Sequence, residues 1–299
     1  MCPYCRKFPE NTIRKGFYRS RTSHKIRIQR YLCRDCGRTF SERARTVGYR
    51  DKKPHLNQLL FRLICSGVSQ RRAADILGIH PITVARKIVK LGKMARFQHQ
   101  KLIANEEKKP IAVIFDEMET FEHSKMKPVS IEMMVEDKSR RILGLVAARM
   151  PAKGLLAARS RKKYGKRKDE RPVAMSRLFR WIRPYLASEF ILKSDKSPRY
   201  PAIFKRQFPG SKLQAFKGRR GCVVGQGELK GGGFDPIFSL NHSAAMVRDN
   251  LKTLTRKTWC TMKRPDRFQA LLNLYMIWHN CRLLGEKRPS IRWTLGTPL

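Results

Sequence analysis

The chain has 299 residues, and its 66 lysines and arginines against 23 aspartates and glutamates give a formal net charge of +43. This length predicts roughly two or three compact units, which excludes a single small module. No apolar run approaches the roughly 20 residues of a membrane helix, so we expect no membrane partner. A charge this large repels itself in a compact state unless a polyanion neutralises it, and nucleic acid fits best.

The N-terminal region, residues 1–45, contains two C-x2-C pairs. Cys2 and Cys5 form the first pair, and Cys33 and Cys36 form the second. Four thiolates from two tight turns suit tetrahedral zinc, so we predict a basic zinc ribbon rather than free thiols or a redox pair. The four remaining cysteines are isolated among apolar residues and are expected to pack in the core: Cys65, Cys222, Cys260 and Cys281.

The expected compartment is a reducing one. The chain starts at Met1 with no apolar segment of the secretory type. We therefore expect a cytoplasmic, nucleoid-associated protein whose cysteines are not disulfide-bonded.

Residues 52–97 carry apolar side chains at helical spacing. Ser69 can cap one helix, Gly78 can end it in a left-handed turn, and Pro81 can begin the next. We interpret this region as a helix-turn-helix DNA-binding domain, with an ordinary helical hairpin as the alternative. The face expected to enter the major groove carries His80, Ile82, Thr83, Arg86 and Lys87. Arg86 is the candidate for base contact, and Lys87 or Lys90 the candidate for phosphate contact.

Residues 108–284 are predicted to form a third domain. Apolar runs at 111–116, 129–135, 142–147, 190–195 and 212–216 predict strands, and helical patterns lie between and after the last of them. This order predicts an α/β fold with an RNase H-like mixed sheet. A basic insertion near residues 153–172 is typical of a mobile loop or phosphate-binding arm, or of a solvated charge run, and includes Arg161, Lys162 and Lys163.

Residues 108–150 are nearly neutral, with eight basic and seven acidic residues. Most of these acids are expected to pair with nearby cations. Asp116 and Asp195, however, end two predicted strands, and carboxylates on adjacent strands can hold a pair of Mg²⁺ ions that promotes attack on a phosphodiester. We predict both as metal ligands, with turn-capping acids as the alternative.

These features together resemble the RNase H-like DDE transposases of bacterial insertion sequences, insertion-sequence-one type. The resemblance covers nearly the whole chain and rests on the two C-x2-C pairs, the helix-turn-helix pattern, Phe115-Asp116-Glu117 with Phe121, Ser194-Asp195 with Tyr200, Arg248, Leu254, Arg256-Lys257 and His279-Asn280. It implies a DNA transposase that binds terminal inverted repeats and target DNA, uses Mg²⁺ or Mn²⁺, and acts as a homodimer or larger assembly. Asp116 and Asp195 would be its first two catalytic acids.

The third catalytic position departs from the family. The resemblance implies a Glu seven residues before Arg248, where this chain has Asn241. An amide oxygen can coordinate Mg²⁺, although it adds no charge. The alternatives are that Asn241 is a helix N-cap, or that Glu228 in the glycine-rich stretch 225–233 is the third ligand.

The apolar spacing predicts the last helix of the domain over residues 241–257. It would carry a cationic stripe for the DNA backbone, formed by Arg248, Lys252 and Arg256. Trp259, just beyond it, is expected to pack in the core, with base stacking as the alternative, and residues 285–299 are expected to form a tail.

Two other functions compete with the transposase. A catalytically impaired, transposase-derived protein that binds specific DNA sequences is favoured by Asn241 in place of Glu. An RNA-binding protein accounts for the charge but not for the two acids.

Overall fold

The computed structural model describes residues 2–5, 9–19, 27–45, 51–217, 235–255, 258–287 and 289–291. The chain divides into two compact units, one that ends at Asn57 and a larger one, Gln58–Ile291. The helical segment and the third predicted domain therefore belong to the same compact unit.

The N-terminal unit contains a three-stranded antiparallel sheet, β1 (Thr12–Arg19), β2 (Arg27–Cys33) and β3 (Thr39–Ser41), in that order. Short 3-10 helices occur at Pro9–Asn11, Glu42–Arg45 and Pro54–Leu56. Its buried cluster is small and consists of Cys2, Cys33, Phe40 and Ala44. A core of this size contributes little stability by itself, which is typical of modules held together by metal.

The larger unit begins with helices α1 (Asn57–Cys65), α2 (Gln70–Ile76) and α3 (Pro81–Ala104). The three predicted boundary features are confirmed. Ser69 accepts a hydrogen bond from the Arg72 backbone N–H at 3.3 Å, Gly78 has φ +58°, and Pro81 is the first residue of α3. His80, predicted to lie in the groove face, caps α3 by accepting a hydrogen bond at Nδ1 from Ile82 N at 3.2 Å.

Helix α3 packs along the last helix of the unit, α8 (Pro265–Leu283). The contact is close because Gly92 has no side chain: a Cβ there would lie 2.5 Å from the Cβ of Ala270. Asn273 on α8 also donates to the Gly92 carbonyl at 3.2 Å. Helix α3 therefore extends beyond residue 97, the predicted end of the helical domain, and joins that region to the rest of the unit.

A mixed five-stranded sheet forms the centre of the larger unit, in the order β6-β5-β4-β7-β8. Its strands are β4 (Ala112–Phe121), β5 (Pro128–Glu136), β6 (Ile142–Arg149), β7 (Ile191–Asp195) and β8 (Lys212–Phe216). The first three pair antiparallel, whereas β4, β7 and β8 pair parallel. The predicted α/β class and mixed sheet are thus confirmed.

Helices cover both faces of this sheet. Helices α5 (Arg171–Ile182) and α6 (Tyr200–Gln207) pack on the face that carries Val113 and Phe115. Helix α7 (Phe238–Asn250) and helix α8 pack on the face that carries Ile114 and Met118. Consecutive residues of β4 contact different helices because the side chains of a strand alternate between the two faces of the sheet, and both faces are buried here.

Asp116 lies inside a strand rather than at its end, so that prediction was wrong. Strand β4 continues to Phe121 because it forms a hairpin with β5, in which Phe121 pairs with Pro128. The parallel pairing with β7 stops earlier, at Phe115 and Ser194. Asp116 therefore lies where its parallel neighbour ends, beside Asp195, the last residue of β7.

Two further segments differ from expectation. The basic insertion contains a helix, α4 (Leu156–Tyr164), rather than a loop. Of the predicted tail, Ile291 is buried, and its backbone N–H donates to the side chain of Gln58 at 3.2 Å. In the part of the chain that is described, no helix is long and apolar enough to cross a bilayer.

Candidate metal and nucleic-acid sites

The four N-terminal cysteines meet at one point. Their sulfur atoms all lie within 4.8 Å of one another, with 3.7 Å between Cys2 and Cys36 and 3.7 Å between Cys5 and Cys33. Zn–S bonds of about 2.3 Å in a tetrahedron place sulfurs about 3.8 Å apart. The group could therefore hold a structural metal such as zinc, as the sequence predicted.

The turn that carries the second C-x2-C pair, Cys33 and Cys36, is shaped by Gly37. Its φ of +66° lets the chain turn back, and its N–H donates to the Cys33 carbonyl at 2.9 Å. A left-handed residue at this position favours glycine, because it avoids the Cβ clash. This local geometry brings Cys33 and Cys36 to the same side of the turn.

Of the other cysteines, Cys65 and Cys281 are buried, as predicted, and Cys260 is half-buried. Cys222 lies outside the described residues, as do Glu228 and Arg256.

Asp116 and Asp195 form the candidate acidic site. They follow the last parallel pair, Phe115 and Ser194, so their side chains project from the same sheet face on adjacent strands. Asp116 Oδ1 accepts hydrogen bonds from Glu117 N at 2.7 Å and from the Tyr200 hydroxyl at 3.4 Å. Asp195 Oδ1 accepts one from Ser197 N at 3.2 Å.

These two acids lack cationic partners among the described residues. Five of the seven acids in residues 108–150 do form ion pairs with Arg or Lys, namely Glu117, Glu119, Glu122, Glu136 and Asp137. The expected pairing of most acids is thus confirmed. Asp116 and Asp195 are left facing each other without a countercharge, although the protein carries a net charge of +43.

Burial, together with the negative charge of the neighbouring Asp195, raises the pKa of Asp116 to about 6, against a lowering effect of the Glu117 N–H. Burial, followed by the charge of Asp116, also raises the pKa of the Tyr200 hydroxyl. Tyr200 therefore stays protonated and can donate to Asp116. Carboxylate oxygens held together in this way are the donors that hard divalent cations prefer.

A buried ionic cluster, which was not predicted from the sequence, lies on the opposite face of β4. Glu117 contacts Arg199 at 2.8 Å and Arg171 at 3.4 Å. Glu132 is its cross-strand partner and is fully buried, which raises the pKa of Glu132 to about 9. The sequence feature that could have revealed this cluster is Glu132, an acid at the centre of the mostly apolar strand β5.

Asn241 is the fourth residue of α7, whose N-cap is Ile237, so the N-cap interpretation was wrong. Helix α7 covers the sheet face that carries Asp116. The Nδ2 atom of Asn241, however, donates a hydrogen bond to Asp235 Oδ2 at 2.8 Å. The structure does not bring Asn241 into hydrogen-bond contact with either acid.

Helix α7 ends at Asn250, so the predicted cationic stripe does not continue along it. Gly67 N donates to the Asn250 carbonyl at 2.8 Å, and Leu251 leaves the helical conformation with φ −105° and ψ 105°. Burial of Leu251 stabilises this departure. Arg248 remains on the helix, whereas Lys252 lies in the turn that follows it.

The predicted groove face of α3 is partly available. Ile82 and Arg86 are exposed, and Thr83 and Lys90 are half-buried. Lys87 is only 4% exposed, so its assignment as a phosphate contact was wrong. The reason is helical period: Lys87 lies on the same stripe as Leu91 and Met94, which are buried.

The remaining predicted contacts lie on the surface. Arg161, Lys162 and Lys163 are exposed in the last turn of α4. Trp259, predicted to pack in the core, is 99% exposed, so that prediction was wrong. Trp278 does pack, edge to face with Phe61 at 5.6 Å between ring centres.

Comparison with known proteins identifies no family: no family model matches the chain, and no curated protein matches it significantly.

Proposed function

We propose that this protein is a DNA transposase. The observation that carries the proposal is the pair Asp116 and Asp195, which lie side by side on adjacent parallel strands without a cationic partner among the described residues. Paired carboxylates in this arrangement are suited to phosphodiester chemistry that depends on Mg²⁺ or Mn²⁺.

The fold is consistent with an RNase H-like domain. Three antiparallel strands are followed by two strands that add in parallel, and helices cover both faces. The acids stand at the point where the antiparallel hairpin meets the parallel strands. This junction holds both carboxylates on rigid backbone, as a catalytic site requires.

Divalent ions bound by Asp116 and Asp195 would activate the attacking oxygen and stabilise the leaving oxygen of a phosphodiester. Residues of the chain itself orient the two carboxylates. Tyr200 holds one Asp116 oxygen, Ser197 N holds one Asp195 oxygen, and the remaining oxygens are available. The third ligand is Asn241 or, in the part of the chain that is not described, Glu228.

DNA recognition is assigned to the N-terminal half of the chain. The cysteine cluster with its basic strands and the capped α2–turn–α3 segment act as zinc ribbon and helix-turn-helix, and they bind the terminal inverted repeats. Arg86 reads a base edge, and Thr83 and Lys90 support it at the backbone. The exposed cations of α4 hold further duplex, and two DNA ends are joined by a homodimer or larger assembly in the nucleoid.

The test is strand cleavage and transfer on supercoiled DNA with Mg²⁺ or Mn²⁺. Asp116→Asn and Asp195→Asn should each reduce cleavage by roughly 100-fold or more while leaving DNA affinity in place, because metal ligation contributes several kcal/mol. Glu119→Gln is the matched control, since Glu119 lies on the same strand but pairs with Lys153 at the surface. Unchanged cleavage in either aspartate variant would contradict the site.

A second function is favoured by one observation. Asn241 is exposed and bonded to Asp235 rather than to the acids, and it lacks the charge of a Glu. The chain would then be a catalytically impaired, transposase-derived protein that binds specific DNA sequences. Tight binding to element ends, together with the absence of nicking or joining by the wild-type protein, would establish this function instead.

A further inference from the structure

A groove of about 520 Å³ opens between the start of α2 and the chain that follows α7. Its floor is apolar and includes the buried side chains of Leu251, Met262 and Phe268. Its wall carries Trp259, and we call it the Trp259 groove. The volume falls within the roughly 300–1,000 Å³ of small-ligand pockets.

Trp259 is unusual because 99% of its surface is exposed. Burying an aromatic side chain of this size is strongly favourable, so an indole left in water is available for a partner. It is held at the edge of a fixed structure, because Met262, three residues later, pairs with Glu122 at the end of β4. The wall of the groove is thereby connected to the strand that carries Asp116.

The charge of the groove restricts what it can bind. Its rim has five cations, Arg71, Lys252, Lys263, Arg264 and Arg267, and none of the described residues that line it is acidic. Arg264 pairs with Asp266, whereas no ion pair involving the other four occurs in the described part of the chain. A ligand that complements this surface needs an anionic part for the rim and a flat apolar part for the indole.

We propose that the Trp259 groove binds an unpaired nucleotide of DNA, with its base stacked on Trp259 and its phosphates at Arg71, Lys263 and Arg267. Base stacking on an aromatic ring beside backbone-tracking cations is the usual basis of single-strand binding. A base inside a duplex already has neighbours on both faces, so it cannot stack on the indole. The choice of DNA over RNA rests on the proposed function.

The experiment measures equilibrium binding of the full-length, zinc-loaded chain. The probes are a fluorescently labelled single-stranded DNA, the blunt duplex of the same sequence, and that duplex with an unpaired 3′ extension. Trp259→Ala should weaken binding of the single strand and of the extended duplex by about tenfold, which is what the stacking of one base contributes. Binding of the blunt duplex should not change, and Trp259→Phe should retain most of the affinity.

Leu155→Ala is the matched control, because Leu155 is also a large apolar side chain with 98% exposure and lies away from the groove. It should leave all three affinities unchanged. Because Trp259 is exposed, its replacement should not impair folding.

Equal weakening of the blunt duplex and the single strand by Trp259→Ala, or no weakening of either, would overturn the proposal. A single-stranded RNA that binds as tightly as DNA, with the same dependence on Trp259, would overturn the choice of DNA. Loss of cleavage activity is a separate result: it bears on the proposed transposase and leaves the difference between single strand and duplex intact.

Discussion

The Nη2 atom of Arg199 lies 2.8 and 2.9 Å from the two carboxylate oxygens of Glu117, while the next residue, Tyr200, donates to Asp116 at 3.4 Å. Two consecutive residues at the start of α6 thus hold two consecutive residues of β4. The ion pair and the hydrogen bond involve consecutive residues of β4 whose side chains project to opposite faces of the strand. Together they fix the helix that follows Asp195 against the strand that carries Asp116.

Arg199→Met is expected to lower the unfolding free energy by roughly 1–3 kcal/mol, because the largely buried Glu117 loses one of its two cationic partners. It should also reduce cleavage by displacing Tyr200, with DNA affinity retained and Arg199→Lys restoring part of the rate. Denaturant unfolding and the plasmid assay measure these effects. Lys153→Met, which breaks the exposed pair with Glu119, should change stability by no more than about 1 kcal/mol.

Replacing Asn241 by Glu tests the third ligand. We expect Asn241→Glu to lower the Mg²⁺ concentration needed for cleavage, because a carboxylate binds the ion more strongly than an amide. The new charge would face Asp235, so the double variant with Asp235→Asn removes that repulsion. If neither variant alters the dependence on Mg²⁺, Glu228 becomes the candidate for the third ligand.

The cysteine cluster should bind one zinc ion per chain, measured by metal analysis of the purified protein. Cys33→Ser is expected to release the metal and unfold the N-terminal unit, whose buried cluster is too small to fold alone. Cys260→Ser should retain the metal, because Cys260 belongs to the larger unit and is not one of the four clustered cysteines. A folded, metal-free N-terminus would contradict the site.

Glu132 predicts a dependence of stability on pH. Burial raises its pKa from 4.5 to about 9, so the native state binds a proton that the unfolded state releases between these values. Its contribution to stability therefore declines as pH rises through this window. Glu132→Gln should be the more stable protein near pH 8 by several kcal/mol, at about 1.4 kcal/mol per pH unit above 4.5, with the difference vanishing near pH 4.5. A difference that does not vary with pH would refute the raised pKa.

Gly92→Ala tests the contact between α3 and α8. The added methyl group would meet Ala270 backbone and side-chain atoms at 2.5 to 2.7 Å, so the helices must separate. We expect a loss of about 1–3 kcal/mol in unfolding free energy, despite the higher helix propensity of alanine. Lys93→Ala, at the exposed neighbouring position, should be nearly neutral.

The features that could be predicted from the sequence are mainly those that depend on neighbouring residues. The spacing of Cys2, Cys5, Cys33 and Cys36, the cap at Ser69 and the turn at Gly78 depend on residues close in the chain or on one metal geometry. The α/β class and mixed sheet followed from the change of apolar period along the chain. These predictions held because each rests on short-range physics.

The predictions that failed concern residues whose burial or helix end is set by tertiary packing. Lys87 is buried on the same stripe of α3 as Leu91 and Met94, and Trp259 is exposed, which is the reverse of what was expected for each. Helix α7 stops at Asn250, where Gly67, distant in sequence, caps it. A local sequence pattern gives no information about a hydrogen-bond partner that is distant in the chain.

The net charge, the spacing of the four cysteines and the two candidate acids can be read from the sequence. The tertiary structure places Asp116 and Asp195 beside each other on neighbouring strands, while Glu117 pairs with Arg171 and Arg199 on the other face of the sheet. The physical reason is that a pairing register between distant strands chooses which charges become neighbours. The composition gives the numbers of acidic and basic residues, whereas the strand register decides which of the described acids lack a cationic partner.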